Sequence, residues 1–166
     1  MNAIVVYQSL WGNTAAIAHA IAAGIGSGAR ALSTAEATAA AASGADLIVA
    51  GAPLLGFSLP SDGMLNMIGS DKSKYKAAPD VSQPSMRSWL AALPAGNGRR
   101  FAAFETRIWW SPGSAAGGIE RGLEHAGYRR LAQARRFLVG GAEGPLRGGE
   151  LDKAKAWGAE LARAMK

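Results

Sequence analysis

Six residues near the N-terminus, Ser9-Leu10-Trp11-Gly12-Asn13-Thr14, bring two hydroxyls and a glycine together just after the apolar run Val5-Val6-Tyr7. That order suits an anion held at the start of a helix. The first backbone N–H groups of a helix lack intrahelical partners and lie at the positive end of its dipole, so a phosphate there is bound by amides as well as hydroxyls. Ser9 and Thr14 supply the hydroxyls, and Gly12 lets the backbone approach the anion with no side chain in the way. Two better-known loops are excluded, because a P-loop needs a Gly-Lys-Ser/Thr ending and the dinucleotide fingerprint needs three glycines at fixed offsets. The turn holds no lysine or arginine, which fits a terminal phosphomonoester held by neutral donors better than a triphosphate with its metal.

The rest of the chain must position this turn. Short apolar runs at Ala3 to Tyr7, Ala29 to Leu32, Leu47 to Gly51, Phe101 to Phe104 and Leu131 to Val139, the last interrupted by Arg135-Arg136, alternate with helical patterns. Five such runs separated by helices predict an α/β domain with a five-stranded parallel sheet and helices on both faces. The first helix begins near Asn13, sets Ile17, Ile21 and Ile25 on one face and ends at Gly26-Ser27-Gly28. Further helices are expected over Ala35 to Ala42, Pro84 to Leu93, Ser114 to His125 and Glu150 to Met165. Phe57 to Ser82, with Pro60, Gly63, Gly69 and Pro79, is expected to be a long loop with one helical turn around Met64 to Ile68. Ligands of such sheets bind beyond the strands' carboxyl ends. Three segments follow strands and converge there: Ser9 to Thr14, Pro53-Leu54-Leu55-Gly56, and Glu105 to Ser111.

Composition narrows the chemistry. The 166 residues make one domain, 1–166, and 49% are apolar, enough for a sizeable core. Absence of cysteine excludes disulfides, thiolate metal sites and cysteine nucleophiles, and two histidines, His19 and His125, do not make a histidine-rich metal site. His19 falls off the isoleucine face and is expected to be solvated, and His125 to end a helix. No serine-histidine-aspartate order or readable carboxylate pair is present, so no catalytic residue is assigned. The first residues lack a basic leader, and no apolar run is long enough to span a bilayer, so the expected location is the cytoplasm with no membrane partner. The formal charge of +6 is spread over Arg99-Arg100, Arg129-Arg130, Arg135-Arg136 and C-terminal lysines. No nucleic-acid motif accompanies it, so no nucleic-acid partner is expected.

The stretch Val5 to Ile21 resembles the flavodoxin signature at every position. Asp46 to Gly56 is similar to that family's third strand and first flavin loop, and Phe101 to Arg107 to its fourth strand and second flavin loop. The resemblance implies a three-layer sandwich with strand order 2-1-3-4-5 and a bound FMN. It places the phosphate on Ser9, Leu10, Trp11, Gly12, Asn13 and Thr14, and the flavin ring between Pro53, Leu54, Leu55, Gly56 and the segment Thr106, Arg107, Ile108, Trp109. Trp11 departs from the threonine or serine common at its position, leaving its backbone amide as the donor. Gly56, with Gly51 behind it, either turns a peptide towards the reduced flavin N5 or shapes the loop. Trp109-Trp110 either wall the ring or pack in the core. Arg107 either lies near the ring or forms a surface ion pair with Glu105. The 57–82 segment is read as a cap over the flavin edge.

The implied function is electron transfer through FMN to and from a redox partner protein, although a basic chain departs from the acidic carriers of the family and suits an acidic partner. Alternatives are an FMN-dependent NAD(P)H:quinone-type reductase and a flavodoxin-fold module that does not retain flavin.

Overall fold

Alternating small and branched residues build a central sheet that is buried on both faces. In the computed structural model, which describes residues 1–166, the strands are β1 Ala3–Tyr7, β2 Ala29–Ser33, β3 Leu47–Pro53, β4 Arg100–Arg107, β5 Arg129–Arg130 and β6 Arg135–Leu138. The helices are α1 Asn13–Ile25, α2 Ala39–Ser43, α3 Asp62–Ser70, α4 Met86–Ala91, α5 Ala116–His125 and α6 Glu150–Ala164. All pairings are parallel, in the order β2-β1-β3-β4-β5, with β6 also on β4.

Period-two alternation sends each strand's side chains to two cores. On one side Val5, Val49 and Phe104 pack with Ile17 and Ile21 of α1 and with Ala154, Trp157 and Leu161 of α6. On the other, Val6, Ile48, Ala50 and Phe101 pack with Met86, Trp89 and Leu90 around α4 and with Ile119 and Leu123 of α5. The three expected layers and the 2-1-3-4-5 order are therefore present.

Several boundaries differ from the sequence expectations. The single fifth strand expected over Leu131 to Val139 is instead two pieces on β4: Arg129 and Arg130 lie opposite Arg100 and Phe101, and Arg135 to Leu138 opposite Phe104 to Arg107. The intervening residues 131–134 hold no strand. The alanine-rich helix begins at Ala39, not Ala35, because Thr38 accepts a hydrogen bond from Ala41 N and caps it there. In the 57–82 segment the one expected turn is a nine-residue helix, α3, capped by Ser61 through Met64 N.

Candidate functional site

The turn after β1 reaches α1 through Gly12, whose φ of +91° lies in the left-handed region. A Cβ there would be strained yet would meet nothing within 4 Å, so the glycine answers to backbone conformation and not to crowding. Ser9 Oγ accepts the Gly12 N–H at 3.0 Å and shapes the turn. No side chain caps α1, and the N–H groups of Asn13, Thr14 and Ala15 have no acceptor within the protein. At the floor, the buried hydroxyls of Thr14 and Thr106 meet at 2.8 Å. One hydrogen bond between two hydroxyls uses one proton, so the other O–H remains free to donate.

Ser9, Asn13, Thr14 and Thr106 open onto a cleft of about 170 Å³ at the carboxyl end of the sheet, over the switch between β1 and β3, while Ala15 lines the groove beside it. Ser9, Leu10, Trp11, Asn13 and Thr14 line one end, and Pro53, Leu54, Leu55, Gly56, Thr106, Arg107 and Ile108, with Ser111, Val139 and Ala142, line the rest. Twelve of the fourteen expected site residues thus surround one space. Gly12 borders a neighbouring groove instead. Trp109 is absent from the wall: it and Trp110 are 64% exposed, neither in the core nor in the cleft. Phe57, 69% exposed, joins them at the rim, because Phe57 O accepts Ser114 N at 3.3 Å and thereby ties the two loops together.

The loop after β3 is a tight hairpin. Leu55 and Ser58 exchange backbone hydrogen bonds of 3.3 Å, and both central residues, Gly56 at +55° and Phe57 at +70°, have positive φ, as a type I′ turn requires. A Cβ on Gly56 would come within 2.4 Å of the Met64 Cε of α3.

Glu105 and Arg107 point to one face of β4 and are buried there, not paired at the surface. The Glu105 carboxylate accepts Arg107 Nη1 at 2.8 Å, Ser114 Oγ at 3.2 Å, and the N–H groups of Ala115 and Ala116 at 2.7 and 2.8 Å. It therefore caps α5, whose own N-cap residue, Ala115, supplies no side-chain bond. Arg107 Nη1 also donates to Gly113 O at 3.0 Å, fixing the guanidinium in the cleft wall.

Across the turn, the neighbouring groove is lined by Tyr7, Ser33, Glu36, Asp80 and Gln83. Hydrogen bonds from the Ser33 N–H and hydroxyl hold the Glu36 carboxyl below its ordinary pKa, and burial, then the Glu36 charge, push the Tyr7 phenol above its own. His19 is exposed beside Tyr7, with ring centroids 5.9 Å apart, and His125 ends α5 in solvent.

Sequence reasoning named Ser111 only as the end of a loop on the rim, and it missed Val139 and Ala142 in the cleft wall and Glu143 beside the turn. Their signal was position alone, since Val139 to Glu143 follow β6 on the same rim. Tyr75, Ala77 and Asp80, which touch the turn from the 57–82 segment, gave no signal.

Doubly wound topology, a switch-point cleft and an uncapped helix start give this chain the flavodoxin fold. Solved structures agree along its whole length. An archaeal flavodoxin shares 24% identity over 99% of both chains with a TM-score of 0.68. Flavodoxin 1 of Bacillus cereus shares 17% over 98% of both, also at 0.68. A WrbA-like flavodoxin protein of Agrobacterium tumefaciens shares 18% over 99% of this chain and 96% of its own, at 0.59. No family model and no curated protein matches the sequence. No helix is long and apolar enough to cross a membrane.

Proposed function

We propose that the cleft binds FMN and that the protein passes electrons through it to and from an acidic protein partner. The observation that carries this reading is the uncapped start of α1, with free amides at residues 13–15 above a buried pair of hydroxyls. The residues present fit the cofactor: donors without acceptors gather where a phosphate would sit, and Pro53, Leu54, Leu55 and Ile108 offer apolar walls for a flat ring. FMN, when bound, supplies reversible storage of one or two electrons. The chain's part is to orient and to tune. Thr14, Thr106 and the turn amides hold the phosphate, the type I′ hairpin sets one wall, and Arg107 brings a fixed positive group to the other. Exposed Phe57, Trp109 and Trp110 at the rim favour a macromolecular partner over a small acceptor, and the charge of +6 favours an acidic one.

Visible absorption of the purified protein, before and after FMN and removal of unbound flavin, tests the site. Retained flavin bands are expected; a colourless protein after both steps overturns the reading. Loaded protein that consumes NAD(P)H with a quinone and no other protein would make it a reductase instead. Electron exchange with the partner should slow as salt rises, and a flat response would refute the charge argument.

A further inference from the structure

The turn that gathers free amides is held from behind by residues far away in sequence. Trp11 Nε1 donates to Ala77 O at 3.0 Å, and its ring lies 5.2 Å from that of Tyr75, tilted by 55°. Asp80 N donates to Leu10 O at 2.8 Å. Glu143 joins both sides: its carboxylate accepts Ala77 N at 3.0 Å and Lys76 N at 3.3 Å, while its carbonyl accepts Asn13 Nδ2 at 3.1 Å. The second half of the 57–82 segment is therefore a strap laid on the phosphate turn.

The bonds that reach the turn use its side chains or a carbonyl, those from Lys76 and Ala77 join the strap to Glu143, and none uses the N–H groups of Asn13, Thr14 or Ala15. The tethers thus fix the turn while leaving its donors free. A loop that must converge several N–H dipoles on one point loses affinity if the anion itself has to order it, so tethers in place beforehand strengthen binding. Trp11, standing where a hydroxyl was expected, gives up one direct contact and supplies an anchor instead.

We infer that residues 71–80 are a phosphate clasp in which Trp11 and Glu143 are positioning residues: they order the turn, and the strap and the bound phosphate stabilise each other. This rests on the reading of the turn as a phosphate site, but not on the ring being a flavin. Linkage makes the coupling reciprocal, so an anion on the turn must tighten the strap by the factor by which the strap tightens the anion.

Amide exchange at Lys76, Ala77 and Asp80, followed with inorganic phosphate and separately with FMN, tests it. Phosphate alone should slow exchange at these positions in the wild type. Glu143→Ala, and independently Trp11→Phe, which keeps a ring for Tyr75 but loses the N–H donor, should weaken phosphate by about tenfold and abolish that protection. Riboflavin, which lacks the phosphate, should leave strap exchange unchanged in the wild type. Phosphate binding with the strap protected but no uptake of FMN would support the clasp and refute the flavin reading. FMN uptake with strap exchange unmoved, phosphate affinity unaltered in both variants, or no binding of phosphate at all would overturn the clasp.

Discussion

The hydroxyls of Thr14 and Thr106, 92 residues apart in sequence, meet at 2.8 Å in the buried floor between α1 and the end of β4. Either oxygen can be the donor, so the pair acts as a unit that keeps one O–H for a ligand. Thr14→Ala should weaken FMN by about 1–3 kcal/mol, the cost of leaving a charged acceptor short of a donor. Thr106→Ala should do the same, and the double variant should lose little more than either alone. Flavin fluorescence titration reads all three.

Glu105 is a buried carboxylate with donors on every side, and the Arg107 guanidinium beside it is also buried. Glu105→Ala removes the α5 cap and leaves that guanidinium uncompensated, so stability should fall by about 3–5 kcal/mol in denaturant unfolding. Removing Arg107 as well should recover part of the loss.

Close approach of α1 and α6 depends on Gly158, where a Cβ would come within 2.2 Å of Ile21 O. The obstacle is backbone and cannot step aside. Gly158→Ala should cost about 1–3 kcal/mol, which for a domain of this size lowers the melting temperature by about 2–4 °C per kcal/mol.

Glu36 titrates below the ordinary glutamate value of 4.5 in the folded protein because Ser33 donates to it. A group with a depressed folded pKa stabilises above its unfolded pKa and loses that contribution as pH falls through the folded one. Wild type and Glu36→Gln should therefore differ by a constant amount near neutrality, with the difference shrinking on acidification below about pH 4.5. Chemical unfolding of both proteins between about pH 3 and about pH 7 measures it.

What the sequence made legible was local. β1, β3, β4 and α1 carry continuous apolar runs or one isoleucine face, and Ser9 to Thr14 announce themselves by residue type. The long-range partnerships were not legible. Nothing in Trp11 points to Ala77, 66 positions away. Glu105 and Arg107 share a strand face by alternation, but their burial depends on where α5 begins. The break between β5 and β6 was obscured because an arginine pair inside an apolar run reads as an interruption, whereas Arg135 and Arg136 keep strand geometry with exposed side chains, Arg135 pairing with Glu160 at 3.1 Å and Arg136 reaching the buried Glu105 at 3.6 Å. Trp109 and Trp110 reversed the usual expectation for tryptophan by facing solvent.

The divided fifth position leaves β4 without a strand partner at Ala102 and Ala103 on that side. The short strands β5 and β6 form the outer edge of the sheet there, and an open edge invites another chain to add a strand. That edge carries Arg129 and Arg130 on β5 and Arg135 and Arg136 on β6, all exposed. A second copy approaching edge to edge would set its own arginines against these, and like charges facing across a strand pair repel. Part of the chain's basic character thus guards its weakest margin against aggregation.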